Sequence, residues 1–144
     1  MHFLKMRSMK NKVLVDTDIL SYIFKQKNPL LIANYEAYIM EHKLLYISRI
    51  TVIEILGGLK AKNATKQLAD FEDFIKNHII LDTNQDVARV ASEIFAQLYK
   101  MGRHSGNYDI LNAAIAITND LAICTNNEKD YENIIGLEII NWTQ

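Results

Sequence analysis

Three acidic residues stand where the surrounding sequence is apolar or neutral. Asp16 ends the apolar run VLV, Glu54 lies inside ITVIEILGGL, and Asp109 precedes ILNAAIAI, which carries no charge. A carboxylate in apolar surroundings is costly unless it is paired, solvated or bound to a cation. Hard oxygen ligands that converge from separate elements suit Mg²⁺ or Mn²⁺. These residues are therefore candidate ligands of a divalent metal ion.

A second polar group, TNNEKD over residues 125–130, directly follows the fourth predicted strand. Ligands of open α/β sheets bind beyond the carboxyl ends of the strands. If strands one and four meet in one crevice, this polar turn would lie beside Asp16. Asn126 and Asn127 are also typical turn residues when considered alone. The sequence contains no phosphate-cradling glycine loop, nucleophile elbow or dinucleotide fingerprint.

Each candidate also has a simpler structural interpretation. Asp109 could be an acid in the first turn of a helix, favoured by the helix dipole, and Asp16 could cap the first helix. Glu54 could form a salt bridge with Arg49 or Lys60.

The elements that would position these residues alternate between strands and helices. The first strand, residues 13–15, precedes a helix over 17–24 that Thr17 or Asp18 could cap. Further helices are predicted over residues 30–43, 50–59, 64–77, 84–101 and from 109 onwards, strands over 44–48, 78–82, 121–125 and 137–141, a loop over 102–108 and a short helix within 126–133. Gly57-Gly58 is expected to weaken or end its helix. This alternation predicts a single α/β domain over residues 1–144, with three layers, α/β/α, around a central parallel sheet.

Composition limits the class of protein. The chain has 144 residues, 49% of them hydrophobic and 23% charged, as in ordinary folded domains. A net charge of -1 argues against non-specific coating of nucleic acid. The single cysteine, Cys124, cannot form an internal disulfide and suits the cytoplasm, and neither His78 nor His104 has zinc-ligand spacing with it.

The amino terminus is basic and lacks the apolar run of an export signal, and no later stretch is long enough for a membrane span. Residues 1–11 are expected to be a basic extension outside the core. Met9 lies just before the first strand, which leaves Met1 and Met9 as alternative starts.

The order of the motifs resembles a known family. The segments VDTDIL, SRITVIEILGGL, GNYDILNAAIA, ICTNNEKDYENI and GLEIINW resemble PIN-domain proteins, and most closely the VapC toxins of bacterial toxin–antitoxin pairs. The resemblance runs from about Lys12 to Trp142. The first motif of that family usually reads Asp-Thr-Asn, whereas Asp18 stands at its third position here, which adds a carboxylate that could alter metal affinity.

The resemblance implies a Mg²⁺- or Mn²⁺-dependent endoribonuclease. Asp16, Glu54 and Asp109 match the recurrent acidic positions of the family, Asp130 matches a more variable fourth, and Asn126 is a polar residue beside it. Asp16 and Asp109 would be direct ligands. Glu54 and Asp130 would act through water, complete a second ion site or orient the nucleophile.

The resemblance further implies an RNA substrate, a cognate antitoxin that blocks the site, and a homodimer. Thr17 is expected to hydrogen-bond a ligand or a water molecule. Arg103 and His104, in the predicted loop, are candidate RNA contacts because RNA requires cations along its path.

Two other functions remain compatible with the residues. A haloacid-dehalogenase-like phosphatase would use Asp16 as its covalent nucleophile and Asp18 as its acid. Leu20 then stands where that class usually has Thr or Val. The other alternative is a PIN-like scaffold that binds RNA or protein without cleaving it.

Overall fold

Five short parallel strands form the centre of the structure, a computed structural model that describes residues 11–144. The strands are β1 (Val13–Val15), β2 (Tyr46–Ser48), β3 (Ile79–Leu81), β4 (Ala122–Cys124) and β5 (Ile139–Ile140). Their order in the sheet is β3-β2-β1-β4-β5, and every neighbouring pair is parallel. The chain continues from β1 to β2 and β3 on one side of β1, and later returns to place β4 and β5 on the other side of β1. This reversal places the carboxyl ends of β1 and β4 at a crevice.

Six α-helices and one 3₁₀ helix connect the strands in the described part of the chain. The α-helices are α1 (Thr17–Phe24), α2 (Pro29–His42), α3 (Arg49–Ala61), α4 (Thr65–Ile75), α5 (Gln85–Met101) and α6 (Asn107–Thr118), and the 3₁₀ helix covers Glu128–Asp130. The predicted bounds of α1 are confirmed, and those of most other elements differ by only one or two residues. These differences fall at helix and strand ends, where hydrogen bonding frays.

The side chains of β1 divide between two hydrophobic clusters. Val13 and Val15 join the cluster formed with α1 to α4, whereas Leu14, between them, joins the cluster formed with α5 and α6. Successive side chains of a strand point to opposite faces, so a strand buried on both faces is apolar throughout. The predicted three-layer α/β/α arrangement around a central parallel sheet is confirmed.

Two helices extend two residues beyond a predicted boundary. Gly57-Gly58 does not end its helix, because α3 continues to Ala61. Apolar residues on either side of the pair, Ile55 and Leu59, pack against the core and compensate for the low helix propensity of glycine. Similarly, α6 begins at Asn107 rather than at Asp109, which shortens the preceding loop to residues 102–106.

The proposed basic extension lies outside the described residues, except for Asn11. The Asn11 Nδ2 atom donates a hydrogen bond to Glu138 Oε1 at 2.6 Å. Over residues 11–144, no helix has both the length and the apolar character needed to cross a bilayer.

Candidate active site

Asp16 lies at the carboxyl end of β1, beside the end of β4. Its backbone N–H donates to Cys124 O at 2.9 Å, which continues the pairing of the two strands beyond β1. The residue is only 8% exposed. Oδ1 accepts from Thr17 N at 2.9 Å, and Oδ2 accepts from Thr125 Oγ1 at 3.0 Å. Asp16 itself is therefore the N-cap of α1, which confirms its simpler structural interpretation, and the capping prediction for Thr17 or Asp18 is wrong.

Burial raises the pKa of Asp16 above its ordinary value. Hydrogen bonds from Thr17 N, the Thr125 hydroxyl and the Tyr131 hydroxyl favour the ionised form and offset part of this increase. The carboxylate is thus held in one orientation by several donors while it remains poorly solvated.

Glu54 approaches the crevice from α3, on the exposed side of that helix. Thr17 Oγ1 donates to Glu54 Oε1 at 2.6 Å and also contacts Thr51 Oγ1 at 3.1 Å. The alternative salt bridge with Arg49 is not formed, because the Arg49 guanidinium pairs with Asp82 at 2.8 Å. Thr17 therefore joins the start of α1 to the carboxylate of α3.

Asp109 is the third residue of α6 and is half-buried. Its Oδ1 atom accepts from the Tyr131 hydroxyl at 3.2 Å. Burial raises the pKa of Asp109 to about 6, and the nearby negative charges of Asp130, Asp16 and Glu54 add to the increase. A helix N-terminus normally favours an ionised acid, so burial and like charges outweigh the helix dipole here.

Gly106, the N-cap residue of α6, lies against this carboxylate. A Cβ atom at Gly106 would meet Asp109 Oδ2 at 3.2 Å, which is closer than ordinary van der Waals contact. The absence of a side chain at Gly106 therefore leaves the space that Asp109 occupies.

Asp130 ends the 3₁₀ helix and is exposed. Ser105 Oγ donates to its backbone oxygen at 2.9 Å, which attaches the loop between α5 and α6 to this segment. Arg103 and His104 lie in the same loop and are exposed. The loop thus presents two cationic or ionisable side chains next to the segment that carries Asp130.

Asp18 and the two asparagines after β4 form the remaining part of the site. Asp18 is exposed, and its Oδ2 atom accepts from Asn127 Nδ2 at 3.2 Å. Asn127 N in turn donates to Thr125 Oγ1 at 3.0 Å. Asn126 Oδ1 is buried and lacks a hydrogen-bond partner among the described residues. The predicted proximity of the polar turn to Asp16 is confirmed.

A set of buried polar residues beneath these carboxylates was not predicted from the sequence. Ser48 and Thr51 lie at the start of α3, Asn112 lies in α6, and Tyr131 follows the 3₁₀ helix; all are at most 2% exposed. Thr125, which belongs to the predicted polar turn, is buried with them. The Ser48 hydroxyl donates to Asn112 Oδ1 at 2.6 Å. An asparagine inside ILNAAIAI was an available signal, since buried amides need partners. Tyr131 gave none, because a buried tyrosine is typical of an ordinary core.

The donor set suits a divalent cation. Its four members are all carboxylates: Asp16, Glu54, Asp109 and Asp130. Burial, together with the charges of the other three, raises the pKa of Asp109. None of the ion pairs found between residues 11–144 involves any of them. Within the same residues, however, no three acidic, histidine or cysteine side chains converge closely enough to form a ready-made cage. Mg²⁺ does not require one, since it keeps several waters and takes few carboxylates directly.

Comparison with known proteins identifies the family. The PIN domain family matches residues 13–135. Ribonuclease VapC2 of Haemophilus influenzae is 30% identical over 132 residues, which cover 91% of this chain and 98% of the relative. This chain belongs to the VapC family of PIN-domain proteins. The tRNA(fMet)-specific endonuclease VapC of Shigella flexneri is 29% identical, with 92% of this chain and 98% of the relative covered.

The solved structures agree with the PIN-domain assignment. The DNA-bound VapBC of Salmonella typhimurium superposes with a TM-score of 0.81 at 28% identity and covers 92% of this chain and 98% of the matched chain. Membership of the PIN-domain family argues against the haloacid-dehalogenase-like alternative. The geometry agrees, because Asp18, the acid in that mechanism, is exposed and bonded to Asn127.

Proposed function

We propose that this PIN-domain chain is a Mg²⁺- or Mn²⁺-dependent endoribonuclease that acts as the toxin of a toxin–antitoxin pair. The observation that carries the proposal is the mutual effect of the four carboxylates. Asp109 has a pKa of about 6 because it is buried close to Asp130, Asp16 and Glu54. Like charges placed together at the carboxyl ends of the strands repel one another and lower the stability of the fold. A bound cation would remove this repulsion. Relatives named as ribonucleases support the reaction class.

Asp16 and Asp109 are the proposed direct ligands, with Glu54 and Asp130 acting through water or at a second ion. A divalent cation bound here would neutralise charge on the phosphodiester and lower the pKa of a bound water. Asn126, in the polar turn after β4, adds a further candidate oxygen ligand, because its amide oxygen is buried without a partner in the described chain.

The chain's own residues orient these ligands. Thr125 and Thr17 N hold the two oxygens of Asp16, so that its carboxylate cannot rotate freely. The Thr17 hydroxyl orients Glu54 from the same turn of α1. Hydrogen bonds of this kind to metal-ligating carboxylates fix their direction and are commonly as important as the ligands themselves.

RNA would approach over an open surface beside the carboxylates. Arg103 and His104 are exposed in the loop that Ser105 attaches to Asp130. We assign these two side chains to phosphate contacts, because backbone phosphates require cations near a negatively charged centre.

An antitoxin is the proposed protein partner. A groove of about 190 Å³ borders Glu54 and is lined by apolar Phe24, Ile55 and Leu59 together with Lys25 and Lys62. Such a mixed surface suits a peptide that packs apolar side chains and reaches the acidic site with a basic one. Homodimer formation and a cytoplasmic site of action, where the RNA is, complete the proposal.

The test is RNA cleavage by the purified, antitoxin-free protein. The substrates are a transfer RNA, a ribosomal RNA fragment and a messenger RNA, each with Mg²⁺, with Mn²⁺ or with EDTA. We expect discrete fragments only with the metal ions and a loss of at least about 100-fold in the Asp109→Asn variant.

Equal cleavage by wild type and variant would identify a contaminating ribonuclease and contradict the proposal. Metal binding without cleavage of any RNA would instead favour the scaffold alternative. An Asp82→Asn variant is the matched control, because Asp82 is an exposed acid paired with Arg49 outside the four-carboxylate set.

A further inference from the structure

The Tyr131 hydroxyl lies beneath the acidic site. Its side chain is completely buried, with 0% exposed. The hydroxyl donates to Asp109 Oδ1 at 3.2 Å and is also close enough to Asp16 to lower the pKa of that carboxylate. One buried hydroxyl therefore lies near two acids that come from different elements, the end of β1 and the first turn of α6.

A buried amide supports this hydroxyl. Asn112, 2% exposed, lies beside the Tyr131 hydroxyl and accepts from the Ser48 hydroxyl at 2.6 Å through Oδ1. Ser48 is the N-cap residue of α3, the helix that carries Glu54, and its Oγ accepts from Thr51 N. A line of buried polar side chains thus runs from the start of α3, through α6, to the Asp109 carboxylate.

The orientation of the line follows from the donors available. The Asn112 oxygen is occupied by Ser48, so its amide N–H₂ is the group that remains to donate to Tyr131. Tyr131 then has its single proton free for a carboxylate. A phenol has an ordinary pKa of about 10, so the Tyr131 hydroxyl keeps that proton at neutral pH.

We propose that Tyr131, held by Asn112, is a positioning residue that fixes the Asp109 carboxylate for binding a divalent cation. The inference rests on the proposed metal-dependent function and adds residues that act through Asp109. The Tyr131 hydroxyl donates its single proton to Oδ1, which selects one orientation of the acid and leaves Oδ2 outside this hydrogen bond.

The experiment measures Mn²⁺ binding by calorimetry, with no RNA present. We compare wild type with Tyr131→Phe, which keeps the ring and removes only the hydroxyl. The matched control is Tyr38→Phe, because Tyr38 is also buried and its hydroxyl accepts one hydrogen bond, from Val13 N at 3.0 Å, in the other hydrophobic cluster. Asn112→Leu serves as an independent variant of similar size.

We expect Tyr131→Phe to weaken Mn²⁺ binding by about 10-fold and Asn112→Leu by about 3-fold, with Tyr38→Phe within 2-fold of wild type. The Mg²⁺ concentration needed for half-maximal cleavage should rise by the same factors. Unchanged Mn²⁺ affinity in Tyr131→Phe, or an equal loss in Tyr38→Phe, would overturn the positioning role while leaving the proposed function intact. Absence of Mn²⁺ binding by wild type would contradict the proposed metal dependence of the site. If Tyr131→Phe does not fold, unchanged Mn²⁺ affinity in Asn112→Leu overturns the inference.

Discussion

Asp16 and Asp109 reach the same crevice from different elements, the end of β1 and the first turn of α6, and their surroundings differ. Asp16 is nearly inaccessible to solvent, and each of its oxygens accepts one hydrogen bond, Oδ1 from Thr17 N and Oδ2 from the Thr125 hydroxyl. Asp109 is half-buried, accepts one hydrogen bond from Tyr131, and has its pKa raised to about 6. Asp16 is therefore also part of the fold, as the cap of α1, whereas Asp109 mainly adds repulsion until a cation is present.

Removing each carboxylate should separate the two roles. Asp16→Ala and Asp109→Asn should each reduce RNA cleavage by at least about 100-fold. In EDTA at pH 7, Asp16→Ala should lower the free energy of unfolding by about 1 kcal/mol, because α1 loses its cap and the buried Thr125 hydroxyl loses its acceptor. Asp109→Asn should raise it by about 1 kcal/mol, since a repelled charge is removed. Urea denaturation measures both, and changes of the same sign would contradict the comparison.

The pH dependence of the free energy of unfolding should show the effect of the Asp109 charge without any change in the folded structure. Its pKa is about 6 in the folded protein against an ordinary 3.8, so the folded state binds the proton more tightly. The resulting stability is complete below about pH 4 and is lost as pH rises through about 6. The full shift corresponds to about 3 kcal/mol, which solvent screening of a half-buried group reduces to about 1–2 kcal/mol.

The measurement is the difference in unfolding free energy between wild type and Asp109→Asn from pH 4 to 7.5, in EDTA. We use the difference because His78 also makes the unfolding free energy depend on pH. Burial lowers the pKa of His78, so its contribution to stability increases as pH rises through the same range. Adding Mg²⁺ should cancel most of the wild-type loss at pH 7. A pH-independent difference would show that Asp109 is not repelled in the folded state.

Loosening Asp16 without removing it should have an intermediate effect. Thr125→Val deletes the hydroxyl that donates to Oδ2 and keeps the shape of the side chain. We expect cleavage to fall by about 10-fold, because the carboxylate can then rotate. Thr118→Val is the control, since Thr118 Oγ1 is a buried atom without a partner in the described structure. An equal fall in both variants would point to a general loss of stability.

The smallest effect should come from crowding Asp109. Gly106→Ala places a Cβ atom 3.2 Å from Asp109 Oδ2, so the carboxylate must shift by a few tenths of an ångström. We expect a decrease in cleavage of about 2- to 5-fold at limiting Mg²⁺, on the scale of roughly 1 kcal/mol or less. Cleavage measured across Mg²⁺ concentrations tests this, and Gly57→Ala is the control because nothing lies near its added Cβ atom.

The sequence by itself determined the fold class and the carboxylates of the candidate site. Apolar strands alternating with helical patterns were sufficient for a parallel sheet, because burial on both faces leaves a clear trace in residue type. Asp16, Glu54 and Asp109 were visible because acids are rare in apolar segments. The cap of α1 was left open between neighbouring polar residues, since several of them can accept the same backbone hydrogen bond.

Only the tertiary structure decided how those acids are supported and charged. Tyr131 and Asn112 are far from Ser48 in sequence, and their hydrogen bonds depend on how α3 and α6 pack against the sheet. The raised pKa of Asp109 likewise requires Asp130, Asp16 and Glu54 to converge from separate elements. Residue type records burial and local propensity, but hydrogen-bond partners and charge–charge distances between separate elements are fixed by the folded chain alone.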